Sequence, residues 1–162
     1  MRGRARDGLR ALGVAALCLA TWTGAALAAP VGVLRMTDGT SECVGPLDDG
    51  ATFRYAYVNS IYLAPVAEEL ERRGGRMRLL RARSTDVRAL EYFRWDGHIR
   101  HDRDGYVQDA PVHETDRLVI RVSPPYRQRI EGPGWSCDLA ARFGDGVVTV
   151  TPEARPAAVA PR

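Results

Sequence analysis

The amino-acid sequence predicts an all-β fold, a small single-domain antiparallel sandwich or barrel of short strands and hairpins. Turn signals recur at short intervals, and short runs rich in β-branched and aromatic residues separate them. One of these runs, residues 52–58, alternates aromatic and other residues as a half-buried strand does. The turn signals are Asp38-Gly39, Asp49-Gly50, Gly74-Gly75, Asp96-Gly97, Asp104-Gly105, Gly132-Pro133-Gly134 and Asp145-Gly146.

The predicted strands follow one another between these turns. Residues 31–36 form the first, and residues 52–58 place Phe53, Tyr55 and Tyr57 on one face because side chains alternate along a strand. The later predicted strands are residues 77–83, 90–95, 118–122, 126–130 and 147–151. Asp96-Gly97 follows residues 90–95 and has the composition of a two-residue hairpin turn.

One segment, residues 64–73, carries signals for both helix and strand. Pro65 suits the first position of a helix, Glu68 and Glu69 suit its positive end, and Gly74 suits the position after its last turn. As a strand, the segment would pair with residues 77–83 across the two glycines, with Glu68 on the same face as its apolar neighbours two positions away. Local propensity alone favours the helix.

Residues 1–28 have the pattern of a secretory signal peptide. Four arginines precede an apolar run, and Ala26-Leu27-Ala28 supplies small residues where signal peptidase needs them. We therefore expect cleavage after Ala28 and a periplasmic or secreted protein. The stretch from Ala11 to Ala29 is 19 uncharged residues long. An uncleaved leader that anchors the protein in the inner membrane is thus the alternative.

Cleavage would change the charge and the number of cysteines. Four of the 23 arginines and one of the 20 acids lie in the leader, so 19 of each remain and the net charge becomes zero. The basic balance is thus no evidence for nucleic-acid binding. Cys43 and Cys137 are the cysteines that remain. In an oxidising compartment they most simply form one disulfide, and two buried free thiols are the alternative.

Residues 29–151 are of a length that suits one domain with a single core. Residues 152–162 are rich in proline and alanine and are predicted to be a disordered tail.

Charge is unevenly distributed along the chain. Six arginines occur between residues 72 and 83 without an intervening acid, whereas acids dominate residues 96–116. The two groups either neutralise each other as solvated faces, or the arginines dock an anionic ligand or an acidic partner surface.

Candidate catalytic and metal-binding residues are few. His98, His101 and His113 are the histidines, and the first two would point to opposite faces of a strand, so no metal site and no cofactor are predicted. No Gly-x-Ser-x-Gly motif, phosphate loop or dinucleotide fingerprint occurs. Five further aromatic residues could line a pocket but are expected in the core and on strand faces: Tyr92, Trp95, Tyr106, Tyr126 and Trp135.

The segment from Tyr57 to Glu68 resembles the opening of the bacterial exported family called domain of unknown function 1850. Tyr57, Ser60, Pro65-Val66 and Glu68 stand at the family's spacing, and Leu79-Leu80 continues the likeness. Asn59 stands where the family usually has histidine, and the Gly-x-Gly-x-Pro segment expected after the Leu-rich strand is missing. The likeness is best over residues 52–80.

The resemblance implies a strand at residues 64–73, and we adopt the strand. Glu68 would then be a carboxylate among apolar side chains that needs a partner. Tyr57, Asn59, Ser60 and Glu68 are the predicted ligand site, with a buried network that only fixes the fold as the competing interpretation.

The resemblance also implies a function, because members of the family are often encoded beside tripartite (TRAP-type) solute transporters. We therefore expect a non-enzymatic periplasmic accessory protein that binds a transporter subunit or its solute. The alternative is a secreted enzyme or small-ligand binder whose polar site combines Glu68 with the three histidines.

Overall fold

The computed structural model describes residues 32–154, and these form two antiparallel sheets. The smaller sheet has the order β2-β1-β11-β8. Its strands are β1 (Gly32–Thr37), β2 (Glu42–Pro46), β8 (Leu118–Val122) and β11 (Gly146–Ala154). The larger sheet has the order β10-β9-β3-β4-β5-β7-β6. Its strands are β3 (Thr52–Val58), β4 (Pro65–Arg73), β5 (Arg76–Ser84), β6 (Ile99–Asp102), β7 (Gly105–Thr115), β9 (Arg129–Gly132) and β10 (Trp135–Asp138). The all-β prediction is confirmed as a sandwich rather than a closed barrel.

The core lies between the two sheets. Leu34, Met36, Val148 and Val150 come from the smaller sheet, and the larger sheet contributes a matching set, all almost fully buried. That set is Phe53, Leu70, Met77 and Ile130. Burying each such side chain contributes about 1.5–3 kcal/mol relative to leaving it in water. The inward positions recur at every second residue, which is the alternation that the sequence displays.

Residues 64–73 illustrate how pairing overrides local propensity. The segment forms β4, which pairs along its length with β3 on one side and β5 on the other. Pro65 occupies the first position of the strand, where the missing N–H is tolerated. Gly74 has a φ of +61° in the turn to β5, which glycine adopts without strain. The prediction of a strand is confirmed.

Residues 90–95, in contrast, do not form the predicted strand. They overlap α1 (Val87–Glu91) and the loop that follows it, so Asp96-Gly97 closes no hairpin. The Asp86 carboxylate accepts a hydrogen bond from the Arg88 N–H and caps the helix. Ala89 and Leu90 are fully buried, and this burial favours the helix.

Two further strand boundaries differ from the prediction, and one helix is additional to it. A 3₁₀ turn at Pro124–Tyr126 delays the strand predicted at residues 126–130, which runs as Arg129–Gly132. A short helix, α2 (Leu139–Phe143), follows β10. The strand predicted at 147–151 extends to Ala154, so residues 152–154, assigned to the tail by the prediction, belong to β11. The predicted leader and residues 155–162 lie outside the described residues.

Cys43 and Cys137 lie at disulfide-bonding distance, as predicted, with Cα atoms 6.6 Å apart. Cys43 lies on β2 and Cys137 on β10, so the bond joins the edge strands of the two sheets across 94 residues of chain. The ring of Trp135 lies beside it against Gly45 and Gly132, where an added Cβ would come within 2.3 Å of the ring. The indole N–H donates to the Pro46 carbonyl at 2.7 Å. Within residues 32–154, no helix is long and apolar enough to cross a membrane.

Replacing both cysteines by serine should lower the free energy of unfolding by about 2–5 kcal/mol, because the unfolded chain loses its long closed loop. Urea denaturation followed by circular dichroism measures the difference. The wild-type protein in reductant is the control and should unfold near the midpoint of the double serine variant. Equal stability of the double variant and the oxidised wild type would contradict the structural role of this bond.

Candidate functional site

The candidate site is built on the inner face of β3 and β4. Tyr55 lies directly opposite Glu68 in the ladder, and Tyr57 lies opposite Val66. Residues directly opposite on antiparallel strands point to the same face, so both tyrosines and Glu68 point inward. The expectation that Glu68 lies among apolar side chains is correct.

Glu68 lies on β4 between two apolar clusters. Leu70, two residues further along, belongs to the main core. Val66, two residues before it, belongs to a smaller cluster with Ala64 and Ala89, against which Tyr57 and Phe93 pack. A carboxyl at this position therefore loses most of its hydration.

Tyr57 supplies the partner that this carboxyl needs. Its hydroxyl donates to Glu68 Oε1 at 3.0 Å. Burial raises the pKa of Glu68, and the hydrogen bond from Tyr57 opposes this rise in part. Burial, reinforced by the nearby Glu68 charge, also raises the pKa of Tyr57, which keeps the phenol a donor. The pair is a part-buried, directional hydrogen bond.

Tyr55 is held by a second polar network. Gln128 Nε2 donates to the Tyr55 hydroxyl at 2.9 Å and to the Arg121 carbonyl at 2.8 Å, and Gln128 Oε1 accepts from the Ser123 N–H at 2.7 Å. The rings of Tyr55 and Tyr57 are stacked with centroids 4.8 Å apart. Burial raises the pKa of Tyr55 to about 12. Both tyrosines are thus fixed in place by bonds at their hydroxyls and by each other.

The two tyrosines form one wall of a cleft of about 400 Å³, which we call the aromatic cleft. Its lining comes from β3, the loop after β3, the residues after α1, β8 and the 3₁₀ turn. The lining residues are Tyr55, Tyr57, Val58, Asn59, Ser60, Tyr92, Phe93, Arg121, Tyr126 and Gln128.

The four predicted site residues therefore occupy different places. Tyr57, Asn59 and Ser60 line the aromatic cleft, whereas Glu68 lies beneath Tyr57 and is not part of its lining. Ser60 is exposed, but Asn59 is buried and its side-chain oxygen accepts from the N–H groups of Ile61 and Tyr62. Asn59 shapes the loop after β3 and has no free acceptor to offer a ligand.

Sequence reasoning missed much of the lining. The sequence predicts core or strand-face positions for Tyr92 and Tyr126, with a pocket as the alternative, and it gives no signal that Gln128 lines a site. Gln128 lies 73 residues after Tyr55, so no local pattern relates the two. The residues of α1 could have been identified from Asp86 as a helix cap and from the apolar pair that follows.

The three histidines do not meet Glu68. His101 lies on the edge strand β6, three strands or about 14 Å from β4. His113 lies opposite Leu79 near the far end of β7, and His98 precedes β6. Within residues 32–154, no three histidine, cysteine or acidic side chains are grouped so that they could hold a metal ion.

Comparison with known proteins finds no similar family, protein or structure. No family model, curated protein or solved structure matches this chain.

Glu68→Gln should change how stability depends on pH. Because the folded chain raises the pKa of Glu68 above its ordinary value of 4.5, ionisation is harder in the folded than in the unfolded chain. The wild type therefore loses stability as pH rises from about 4 through the raised pKa, and the glutamine variant has no such loss. Urea denaturation at about pH 4 and about pH 7 measures the effect. The urea midpoint of Glu68→Gln, relative to that of the wild type, should be higher at about pH 7 than at about pH 4.

Glu91→Gln is the matched control, because Glu91 is exposed on α1. This variant should follow the wild type at both pH values. A Glu68→Gln protein that loses stability relative to wild type as pH rises would show that the carboxylate is favoured in the folded state, contrary to this account.

Proposed function

We propose that this protein is an exported, non-enzymatic accessory protein that binds a small ring-containing ligand in the aromatic cleft. We further propose that it works in the periplasm beside a TRAP-type solute transporter, on the basis of the resemblance over residues 52–80. The aromatic cleft is the observation that carries the binding proposal.

The lining residues of the cleft are of the types that bind a ring-containing ligand. Five of its lining residues are aromatic, namely Tyr55, Tyr57, Tyr92, Phe93 and Tyr126. Its volume of about 400 Å³ lies in the range of small-molecule sites. Fixed aromatic faces bind planar rings and the apolar faces of sugars at low entropic cost, because their own rotamers are already restricted. The guanidinium that contributes to the lining, Arg121, bonds Asp145 at 2.7 Å, so the cleft favours a neutral ligand.

The hydrogen bonds around the cleft favour binding over catalysis. The Tyr57 hydroxyl donates to Glu68, and Gln128 uses its donors and its acceptor within the protein. The Asn59 side-chain oxygen holds its own loop. A general acid or base needs a proton that it can exchange with a substrate, and these groups are committed to fixed internal partners.

Export is supported by two independent features. The leader pattern in residues 1–28 is that of a signal peptide. The disulfide-distance pair Cys43–Cys137 is typical of an oxidising compartment.

Ligand-observed NMR with a set of planar aromatic and cyclic sugar compounds tests the binding proposal. Compounds that bind the wild type should bind a Tyr92→Ala/Tyr126→Ala variant at least about tenfold more weakly, a loss of about 1.4 kcal/mol. Tyr92 is exposed and Tyr126 is half-buried, so the fold should tolerate both changes.

Tyr106→Ala is the matched control, because Tyr106 is also half-buried and contacts His101 away from the cleft. Binding that survives the double variant, or that is lost equally in the control, would remove the cleft from the proposal.

The transporter partnership has a separate test. A tagged form of the full chain, expressed in its native host and mildly crosslinked, should co-purify a TRAP-type permease or binding subunit. A tagged unrelated periplasmic protein is the control. Repeated recovery of the same background from both proteins would contradict the partnership while leaving ligand binding in place.

A further inference from the structure

The outer face of the larger sheet carries a row of alternating charge. Across β9, β3, β4, β5 and β7, each residue lies directly opposite the next in the ladder. The row is Glu131, Arg54, Glu69, Arg81 and Asp109. Arg54 bonds Glu131 at 2.7 Å, and Arg81 bonds Glu69 at 3.1 Å. Each charged side chain of this row has an ion-pair partner, although Asp109 takes its partner, Arg100, from outside the row.

The neighbouring row on the same face has a different composition. Arg129 lies opposite Ala56, Ala56 opposite Ala67, and Ala67 opposite Arg83. This stretch of the row contains two arginines and no acid. The two alanines leave a shallow floor between the long side chains at either end.

These residues form a groove of about 420 Å³, which we call the arginine groove. Val58 and Pro65 extend its floor beyond the alanines. Four arginines line it, against the two carboxylates of Asp104 and Glu131. The four are Arg54, Arg83, Arg127 and Arg129. The groove therefore carries an excess of positive charge.

The partners of these arginines leave donors free. Glu131 is shared, since Oε2 accepts from Arg54 at 2.7 Å and Oε1 from Arg129 at 2.8 Å. Arg83 is bonded by Asp102. Among residues 32–154, the Arg127 guanidinium has no ion-pair partner. A guanidinium has five N–H donors, so one shared carboxylate leaves most of them available.

The exposure of the arginines indicates what kind of anion they can hold. The side chains of Arg54 and Arg129 are 55% and 57% exposed. A single ion pair at such a surface is worth only about 0–1 kcal/mol. A lone small anion is therefore held weakly, whereas a chain that makes several charged contacts and also covers the apolar floor gains from all of them at once.

The spacing of the groove matches an extended peptide. Arg129 and Arg83 lie three strands apart, about 14 Å between their backbones, and an extended chain covers that distance in about four residues. We propose that the arginine groove docks an extended acidic segment of a partner protein, with two carboxylates about four residues apart and small side chains above Ala56 and Ala67.

A blocked pentapeptide, Glu-Gly-Ala-Gly-Glu, is the probe, and its Gln-Gly-Ala-Gly-Gln counterpart is the peptide control. NMR titration of the labelled full chain should move the backbone signals of Ala56 and Ala67 with the acidic peptide alone. Arg83→Gln/Arg129→Gln should weaken binding at least about tenfold. Added salt should weaken the wild-type complex as well.

Arg76→Gln/Arg100→Gln is the matched variant, because both arginines are exposed, bond a carboxylate-bearing neighbour and lie outside the groove. It should bind within about twofold of wild type. An equal loss in this variant, or equal binding of the glutamine peptide, overturns the proposal. Succinate that binds as tightly and moves the same signals also overturns it, in favour of a small-anion site.

The arginine groove and the aromatic cleft share Tyr57 and Val58 in their linings, but the variants that test them change different residues. Tyr92→Ala/Tyr126→Ala should leave peptide binding unchanged, so failure of either proposal can be recognised without the other.

Discussion

The pairing of β4 with β3 and β5 is the constraint on which both candidate surfaces depend. Its register places Glu68 opposite Tyr55 on the inner face and Ala67 opposite Ala56 on the outer face. Because side chains alternate along a strand, a slip of one residue would exchange the two faces. It would then expose Leu70 and bury Glu69, which bonds Arg81 on the surface. The hydrophobic core therefore fixes the register, and the register fixes the polar groups.

The same strand shows which parts of the fold a sequence can predict. Alternation and turn dipeptides predict β3, β5 and the all-β class because these signals are local. Residues 64–73 are ambiguous locally, because they carry helical signals as well as strand signals. Pairing with β3 and β5 outweighs the helical signals. The strand prediction for residues 90–95 is wrong for a related reason. Their aromatic content favours a strand, but Asp86 caps a helix just before them and burial of Ala89 and Leu90 holds it in place.

Some residues of the candidate site can likewise be predicted from the sequence, and others cannot. Tyr57 and Glu68 are near in sequence and lie on adjacent strands, so a strand prediction brings them together. Arg121 reaches the cleft from β8, and Tyr126 and Gln128 reach it from the β8–β9 connection. No periodicity relates these residues to β3. The role of Asn59 also could not be predicted from a sequence pattern. Its side-chain oxygen accepts hydrogen bonds from two backbone N–H groups of its own loop. A polar residue near a cleft can serve the backbone rather than a ligand.

The existence of the aromatic cleft follows from the unequal size of the two sheets. Within residues 32–154, four strands face seven, so the smaller sheet cannot cover the whole inner face of the larger one. The loop after β3 and helix α1 cover part of the remainder, where Ala64 and Ala89 pack with Val66 of β4. Between this cover and the edge strand β8, the inner face meets the cleft at Tyr55 and Tyr57. Tyrosine suits that boundary because its ring tolerates burial and its hydroxyl can reach Glu68 or Gln128. The half-buried carboxyl of Glu68 therefore has a structural role, because it orients the Tyr57 ring that forms the wall of the cleft.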